Sequence, residues 1–129
     1  MILRKYMSLL GIGSANIDLV LPKEMYKPGE SVQGSLVIKG GIIEQQLKRI
    51  DCEFIMNDKA SGKEQVIDAK TILTTRRIQA EESKEISFGF TLPDFVREST
   101  ESISYYFKTR LTFNEGIHSR DQDVIYIVQ

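Results

Sequence analysis

The fold of this chain is decided by residues 26–39, which run YKPGESVQGSLVIK. Pro28 presets the backbone φ at about −65° in the second position of a tight turn, and Gly29 accepts the positive φ that a type II turn requires in the third. From Val32 onward, apolar and polar residues alternate with a period of two. The stretch therefore predicts a type II turn that leads directly into a β-strand with one apolar face.

The same period of two recurs along most of the chain. A hairpin loop is predicted at 57–62, where turn-forming residues are concentrated. Besides the strand that follows the first turn, strands are predicted within 15–21, 50–56, 65–78, 86–92 and 103–113. With the last strand described below, this makes about seven strands at regular spacing and no long helical segment. Such a pattern is typical of an all-β, immunoglobulin-like sandwich.

The last predicted strand, residues 123–128, is unusual because its apolar residues run together. Such a run is expected of a strand that is buried on both faces or that lies at a contact between subunits. In an isolated sandwich it would expose apolar surface unless a further domain or a second copy of the chain covered it. A homo-oligomer formed through this strand is therefore one expectation.

Only two segments are candidates for short helices. One is the first ten residues, and the other is 94–102, where Phe95 and Val96 are predicted to cap one end of the sandwich. We therefore expect residues 1–14 to be a lead-in segment, either a short helix or disordered, and residues 15–129 to form a single domain.

Composition excludes several classes of protein. Seventeen basic residues against eighteen acidic ones leave a formal charge of −1, whereas a dedicated nucleic-acid binder usually needs a strong basic face. Cys52 is the single cysteine, so no disulfide can form within the chain and a reducing cytoplasm is the expected location. No apolar run has the length of a signal peptide or a membrane span, so neither secretion nor membrane spanning is expected.

No group of residues has the pattern of a catalytic or metal site. A zinc site needs three or four ligands, which one histidine, His118, and one cysteine cannot supply. Cys52 falls on the apolar phase of its strand, which indicates a core residue rather than a nucleophile. The glutamates at 81–82 are predicted to form a solvated turn, and Asp121 with Asp123 to cap a loop or hold a cation. We therefore predict no enzyme activity and no cofactor.

Four basic residues are the candidates for a binding surface. Lys108 and Arg110 share the polar face of the long strand, and Arg76 and Arg77 end another strand. If those strands are neighbours, the four side chains form a positive patch on a rigid sheet that can take a phosphate group or an acidic peptide. The alternative is that they are outward charges that keep sheet edges from pairing, the more common use of Lys and Arg there.

The first turn also carries a resemblance. The spacing Tyr-x-Pro-Gly-Glu-x-Val-x-Gly, from residue 26 to residue 34, resembles the opening of arrestin-like domains, where this turn precedes the second strand of the N-terminal sandwich. The segments 38–41 and 44–46 are similar to the bacterial sporulation-control proteins, an arrestin-like family. The residues of the turn that mark the family have structural roles: Tyr26, Pro28, Gly29, Glu30 and Gly34.

The resemblance implies a regulatory or scaffolding protein of the bacterial cytoplasm that binds other proteins and catalyses no reaction. Family members typically carry a second, C-terminal sandwich, and this sequence covers one. The alternative function is a sandwich that binds a sugar or an anionic, phosphate-bearing group. In that case Tyr106 stacks on the sugar, and Lys108 and Arg110 hold the phosphate.

Overall fold

The alternating apolar residues place one face of each main strand against a partner sheet, and two β-sheets pack face to face. The computed structural model describes residues 13–116 and 118–129, and in these residues it contains nine strands and no helix. The strands are β1 (Asn16–Val20), β2 (Met25–Tyr26), β3 (Ser31–Lys39), β4 (Gln45–Asp58), β5 (Lys63–Leu73), β6 (Arg77–Ile78), β7 (Ser83–Thr91), β8 (Ile103–Phe113) and β9 (His118–Ile127).

The smaller sheet has three antiparallel strands in the order β1-β3-β7. The larger sheet has the order β2-β9-β8-β4-β5, with β2 parallel to β9, and β6 joins it by pairing with the start of β4. The strand predicted within 65–78 is divided into β5 and β6. Apart from β2 and β6, which have two residues each, seven strands remain, so the predicted all-β sandwich is confirmed.

The core lies between the sheets and has an aromatic centre. Phe107 is fully buried, and its ring centroid lies 5.2 Å from that of Phe54, 5.8 Å from that of Phe88 and 5.4 Å from that of Phe90. Phe54 belongs to the larger sheet, whereas Phe88 and Phe90 belong to the smaller one. Phe107 therefore joins the two sheets, and its edge-to-face contacts add to the stabilisation that burial alone provides.

The tight turn before β3 is tied to the end of β7. Gly29 has φ +79°, and the N–H of Glu30 donates to the carbonyl of Lys27 at 3.0 Å, as a type II turn requires. The N–H of Gly29 donates to the carbonyl of Pro93 at 3.3 Å, and that of Leu92 donates to Glu30 at 2.9 Å. The Pro–Gly pair therefore fixes where β3 starts relative to its neighbour.

Two other conspicuous residues of this stretch lie where the chain is crowded. Tyr26 is fully buried, and its hydroxyl donates to the carbonyl of Lys23 at 3.2 Å. Gly34 lies beneath the end of β1, and a Cβ atom at this position would stand 2.6 Å from the carbonyl oxygen of Val20. A residue without a side chain is needed there, because the two backbones approach each other closely.

Residues 94–102 form a turn and irregular chain, so the helix predicted there is wrong. The N–H of Ser99 donates to the carbonyl of Ile127 at 2.9 Å, and its hydroxyl accepts the N–H of Ile127 at 2.9 Å. These bonds to β9 satisfy backbone groups that a helix pairs internally. Val96 is buried and covers one end of the sandwich, whereas Phe95 is 73% exposed. The other predicted helix lies in residues 1–12, outside the described residues.

The last strand begins earlier than predicted, at His118, and its side chains alternate between the two faces. Ile125 and Ile127 are buried, but Val124 is 55% exposed and Tyr126 is 47% exposed. Burial of both faces, one of the two expectations for this strand, is therefore wrong within the chain. The exposed side belongs to the outer surface of the larger sheet.

The two sides of the sandwich are closed differently. On one side, side chains of the larger sheet accept hydrogen bonds from backbone N–H groups of the edge strand β1 and of Ala15, the residue before it. The bonds run from Ala15 N to Gln45 Oε1 (2.7 Å), from Ile17 N to Ser119 Oγ (3.1 Å) and from Leu19 N to Asp121 Oδ2 (2.8 Å). On the other side, Lys70 Nζ of β5 donates to the carbonyl of Gly89 on β7 at 2.6 Å. An inward-pointing lysine of this kind also discourages further strands from pairing with the edge.

Candidate partner-binding face

The outer face of the larger sheet carries three rows of side chains that run across the strands. Residues that are opposite each other in adjacent strands point to the same side of a sheet, so the strand register defines each row. The apolar row is Val66, Ile55, Tyr106 and Val124; the middle row is Ala69, Glu53, Lys108 and Gln122; and the cationic row is Thr71, Asp51, Arg110 and Arg120.

The carboxylate in the cationic row is already neutralised. Asp51 accepts two hydrogen bonds from Arg49, at 2.9 and 2.7 Å, and one from Thr71 at 2.8 Å, and Arg110 Nη2 lies 3.7 Å away. Burial raises the pKa of Asp51, but these hydrogen bonds and the two arginine charges outweigh it, and the pKa falls below its usual value. Asp51 therefore stays ionised, and its negative charge is compensated chiefly by the ion pair with Arg49.

The cations near Asp51 form fewer ion pairs than Asp51 does. Within residues 13–116 and 118–129, no ion pair joins Lys108 or Arg120 to a carboxylate. Together with Arg110 they line a groove of about 350 Å³, to which Arg49, Asp51, Glu53, Ala69 and Lys70 also contribute. The ammonium group of Lys70 is turned inward to the carbonyl of Gly89, and the four remaining cations against two carboxylates leave this groove positive, so it is suited to an anionic group.

Arg76 and Arg77 do not belong to this groove. Arg77 pairs with Gln46 near the start of β4, whereas Arg110 pairs with Asp51, five residues farther along the same strand. At about 3.4 Å per residue, this separation is about 17 Å. The side chain of Arg77 instead lies 3.5 Å from a carboxylate oxygen of Glu44. The expected patch of four basic residues is therefore not formed, because their strands meet β4 at different positions.

Arg49 and Arg120 take their place, and neither was among the residues predicted from the sequence. Arg120 lies opposite Arg110 on β9, outside the strand predicted at 123–128. The hairpin turn at 114–116 was the available signal, because folding the chain back at this turn sets Arg120 opposite Arg110. Arg49 has no comparable signal, since its side chain is directed by Asp51 on its own strand.

The apolar row lies next to the cations on the same surface. Ile55 is only 4% exposed although it points outward, and the flanking Val66 and Val124 are 49% and 55% exposed. Between them the hydroxyl of Tyr106 donates to Glu64 Oε1 at 2.9 Å. Two further exposed apolar side chains, Met25 (62%) and Tyr126 (47%), lie opposite each other, two residues farther along β9 than Val124. The outer face therefore has an apolar part and a cationic part side by side.

Three aspartates meet where β1 crosses β9. Oxygen atoms of Asp18, Asp121 and Asp123 all lie within 4.8 Å of one another. Asp121 bonds the backbone of β1, so it caps a strand edge rather than a loop. Burial raises the pKa of Asp123 to about 7, and the hydrogen bond and negative charge of Asp121 contribute to the same effect. Burial and Asp121 also raise the pKa of Asp18.

We expect the stability of the fold to decrease as the pH rises from about 4 to about 8. Asp123 binds its proton more tightly in the folded chain than in the unfolded one, so its contribution is present at low pH and is lost as the pH rises through about 7. Asp123→Asn should remove most of this decrease, about 1 kcal/mol after allowance for partial exposure. Urea unfolding at several pH values measures it, with the exposed Asp68→Asn as control. Equal pH dependence of wild type and Asp123→Asn would contradict the assignment.

The surroundings of the remaining candidate residues indicate structural roles. Cys52 is buried, its sulfur lies 3.7 Å from the Thr109 hydroxyl, and burial raises the pKa of its thiol to about 11. Its prediction as a core residue is confirmed. His118 Nδ1 lies 3.2 Å from the hydroxyl of Thr112. The glutamates at 81–82 lie in a turn, as predicted, and Glu81 has φ 63°.

Comparison with known proteins gives consistent matches. The family model described as SpoOM protein matches residues 3–129. Sporulation-control protein spo0M of Bacillus subtilis (strain 168) is 31% identical over 130 residues, which are 96% of this chain and 50% of that protein. The crystal structure of that sporulation control protein superposes with a TM-score of 0.83 over 92% of this chain and 51% of the other, also at 31% identity.

A more distant match shows the fold alone. A cycloisomaltooligosaccharide glucanotransferase of Paenibacillus sp. superposes with a TM-score of 0.58 at 11% identity, over 90% of this chain and 14% of that enzyme. This chain spans about half the length of the curated relative it matches. Nowhere in the described part of the chain is there a helix long and apolar enough to cross a membrane.

Proposed function

Because the chain belongs to the SpoOM protein family, we propose that it is a regulatory protein of the bacterial cytoplasm that acts by binding other proteins and catalyses no reaction. The role of its relative, sporulation control, supports a regulatory function related to sporulation. The buried, high-pKa thiol of Cys52 supports a function without a cysteine nucleophile.

The outer face of the larger sheet is the observation that carries this proposal. Apolar side chains that are about half exposed lie beside cations that form no ion pair with a carboxylate in the described residues, on a sheet whose central strands β4 and β8 are paired on both sides. Protein interfaces typically combine an apolar centre with a polar and charged rim. Aromatic residues and arginine, both found here, are enriched at the positions that contribute most to binding.

Photo-cross-linking in the native cell tests this proposal. A photoreactive phenylalanine analogue at position 124, in the apolar row, should form discrete adducts with a partner protein. The same analogue at Gln33, which is exposed on the smaller sheet, is the matched control and should give none. Charge reversal by Lys108→Glu with Arg120→Glu should abolish the adducts at position 124. Identical adduct patterns at the two positions would contradict the proposed face.

A second candidate function, binding of a small anionic group, is favoured by the groove of about 350 Å³ that Lys108, Arg110 and Arg120 line. Titration with inorganic phosphate, followed by the amide resonances of β8 and β9, separates the two candidates. Saturable shifts in the groove, abolished by Lys108→Ala with Arg120→Ala and accompanied by no cross-linked protein, would establish the small anion as the ligand.

A further inference from the structure

The dimensions of the outer face restrict what can bind it. Adjacent strands lie about 4.8 Å apart, so the apolar row spans about 14 Å from β5 to β9. Tyr126 and Met25, two residues farther along β9 than Val124 and on the side away from the cations, extend the apolar surface to β2, about 19 Å across the strands in total. Along each strand, Lys108 lies two residues, about 7 Å, from the apolar row, and Arg110 lies four residues, about 14 Å, from it. The surface is therefore a band about 19 Å long, with one apolar edge and one cationic edge.

An extended peptide covers this band poorly. A strand that lies across the sheet is only about 5 Å wide, so it can follow the apolar row or the cationic row but not both. The backbone groups of β4 and β8, at the centre of the face, already pair with strands on both sides, so the centre of the face offers side chains rather than a backbone edge. A peptide that lies along the strands meets each row once.

An α-helix fits the band in length and width. Its diameter with side chains is about 10 to 12 Å, and at 1.5 Å per residue about 13 residues cover the 19 Å. Its backbone is paired internally, so side chains alone can make the contacts. Amphipathic helices present an apolar stripe beside a polar one, which matches adjacent apolar and charged rows.

The charges specify the flank of that helix. Asp51 is occupied by Arg49, whereas Lys108 and Arg120 have no ion-pair partner in the described residues, although Glu53 stands opposite Lys108 in the register. Carboxylates of a partner are attracted to these cations, and ammonium groups at the same positions are repelled. The flank that faces Lys108, Arg110 and Arg120 should therefore be acidic.

We propose that the outer face of the larger sheet binds an amphipathic α-helix of a partner protein, lying across the strands with its apolar stripe on the apolar row and its acidic flank on the cationic row. The proposal rests on the protein-binding function proposed above. It adds the class of partner and its orientation.

Two synthetic helical peptides of 16 residues test the proposal on the intact chain. Both carry the same leucine stripe; one has glutamates on the adjacent flank, and the other has lysines at the same positions. The glutamate peptide should shift the amide resonances of Tyr106, Lys108, Arg120 and Val124, and should bind at least tenfold more tightly than the lysine peptide. Lys108→Glu with Arg120→Glu should reverse this order, and Val124→Glu should weaken both peptides.

Three results would overturn the proposal. Equal affinity for both peptides, or no binding of either, would exclude an acidic amphipathic helix. Shifts confined to the smaller sheet would place the site elsewhere. Well-dispersed amide spectra of the variants show that they are folded. If the peptides fail but cross-linking from position 124 still captures a protein, the protein-binding function stands and only the helical partner is wrong.

Discussion

Replacing Phe107 with alanine is expected to lower the free energy of unfolding by about 3 to 5 kcal/mol, the usual cost of truncating a fully buried phenylalanine. Phe107 contacts Phe54 on its own sheet and Phe88 and Phe90 on the opposite one, so the cavity opens where both sheets meet. Strands held by ladders on both sides cannot collapse readily into such a cavity, which places the cost toward the upper end of the range.

Phe95→Ala is the matched control for this substitution. The same atoms are removed, but Phe95 is 73% exposed, so the change should stay within about 0.5 kcal/mol. Urea denaturation monitored by tyrosine fluorescence or circular dichroism measures both variants. A loss below 1 kcal/mol for Phe107→Ala would mean that the aromatic centre is not the main link between the sheets.

Gly34→Ala is expected to destabilise the fold by about 2 to 3 kcal/mol although it adds a single methyl group. The new Cβ atom would lie 2.6 Å from the carbonyl oxygen of Val20 and 3.0 Å from a methyl group of Leu21. A flexible side chain can move away, but the Val20 carbonyl belongs to the backbone of β1. The end of β1 must therefore shift relative to β3.

Gly89→Ala provides the contrast, because Gly89 lies opposite Gln33, the neighbour of Gly34, in the same sheet. Its Cβ atom would meet only the Gln33 side chain, at 3.7 Å and beyond, which is ordinary contact. Alanine loses less conformational freedom than glycine on folding, so this variant should be neutral or more stable by about 0.5 kcal/mol. Equal destabilisation of both variants would show that a loss of strand flexibility, and not the close approach at Gly34, is responsible.

Much of the fold could be predicted from local residue patterns. Pro28 and Gly29 specify their turn through their own backbone preferences, and the alternation in β3 and β8 states which side chains face the core. The two-residue strands β2 and β6 have no such pattern. They exist because longer strands next to them offer unpaired backbone groups, which no local window of sequence contains.

The candidate site was predictable only in part, because the register between paired strands decides which side chains become neighbours on the surface. Lys108 and Arg110 were identified since they share one face of one strand. Arg120 required the pairing across a hairpin, and the separation of Arg77 from them required the positions at which two strands meet β4. The apolar row has the same origin: Val66, Tyr106 and Val124 are far apart in sequence and form a row only when the four strands β5, β4, β8 and β9 are aligned.

The unequal closure of the two sides of the sandwich has a consequence for how the native protein fluctuates. Beside β1, three backbone amides are bonded into the opposite sheet, whereas the side between β5 and β7 is bridged by the long side chain of Lys70. Local openings follow the lowest-energy route, so the sheets should separate first between β5 and β7. Amide protons of β1 should then exchange with solvent only in larger openings. The β1 side of the sandwich would act as the hinge about which the two sheets transiently separate.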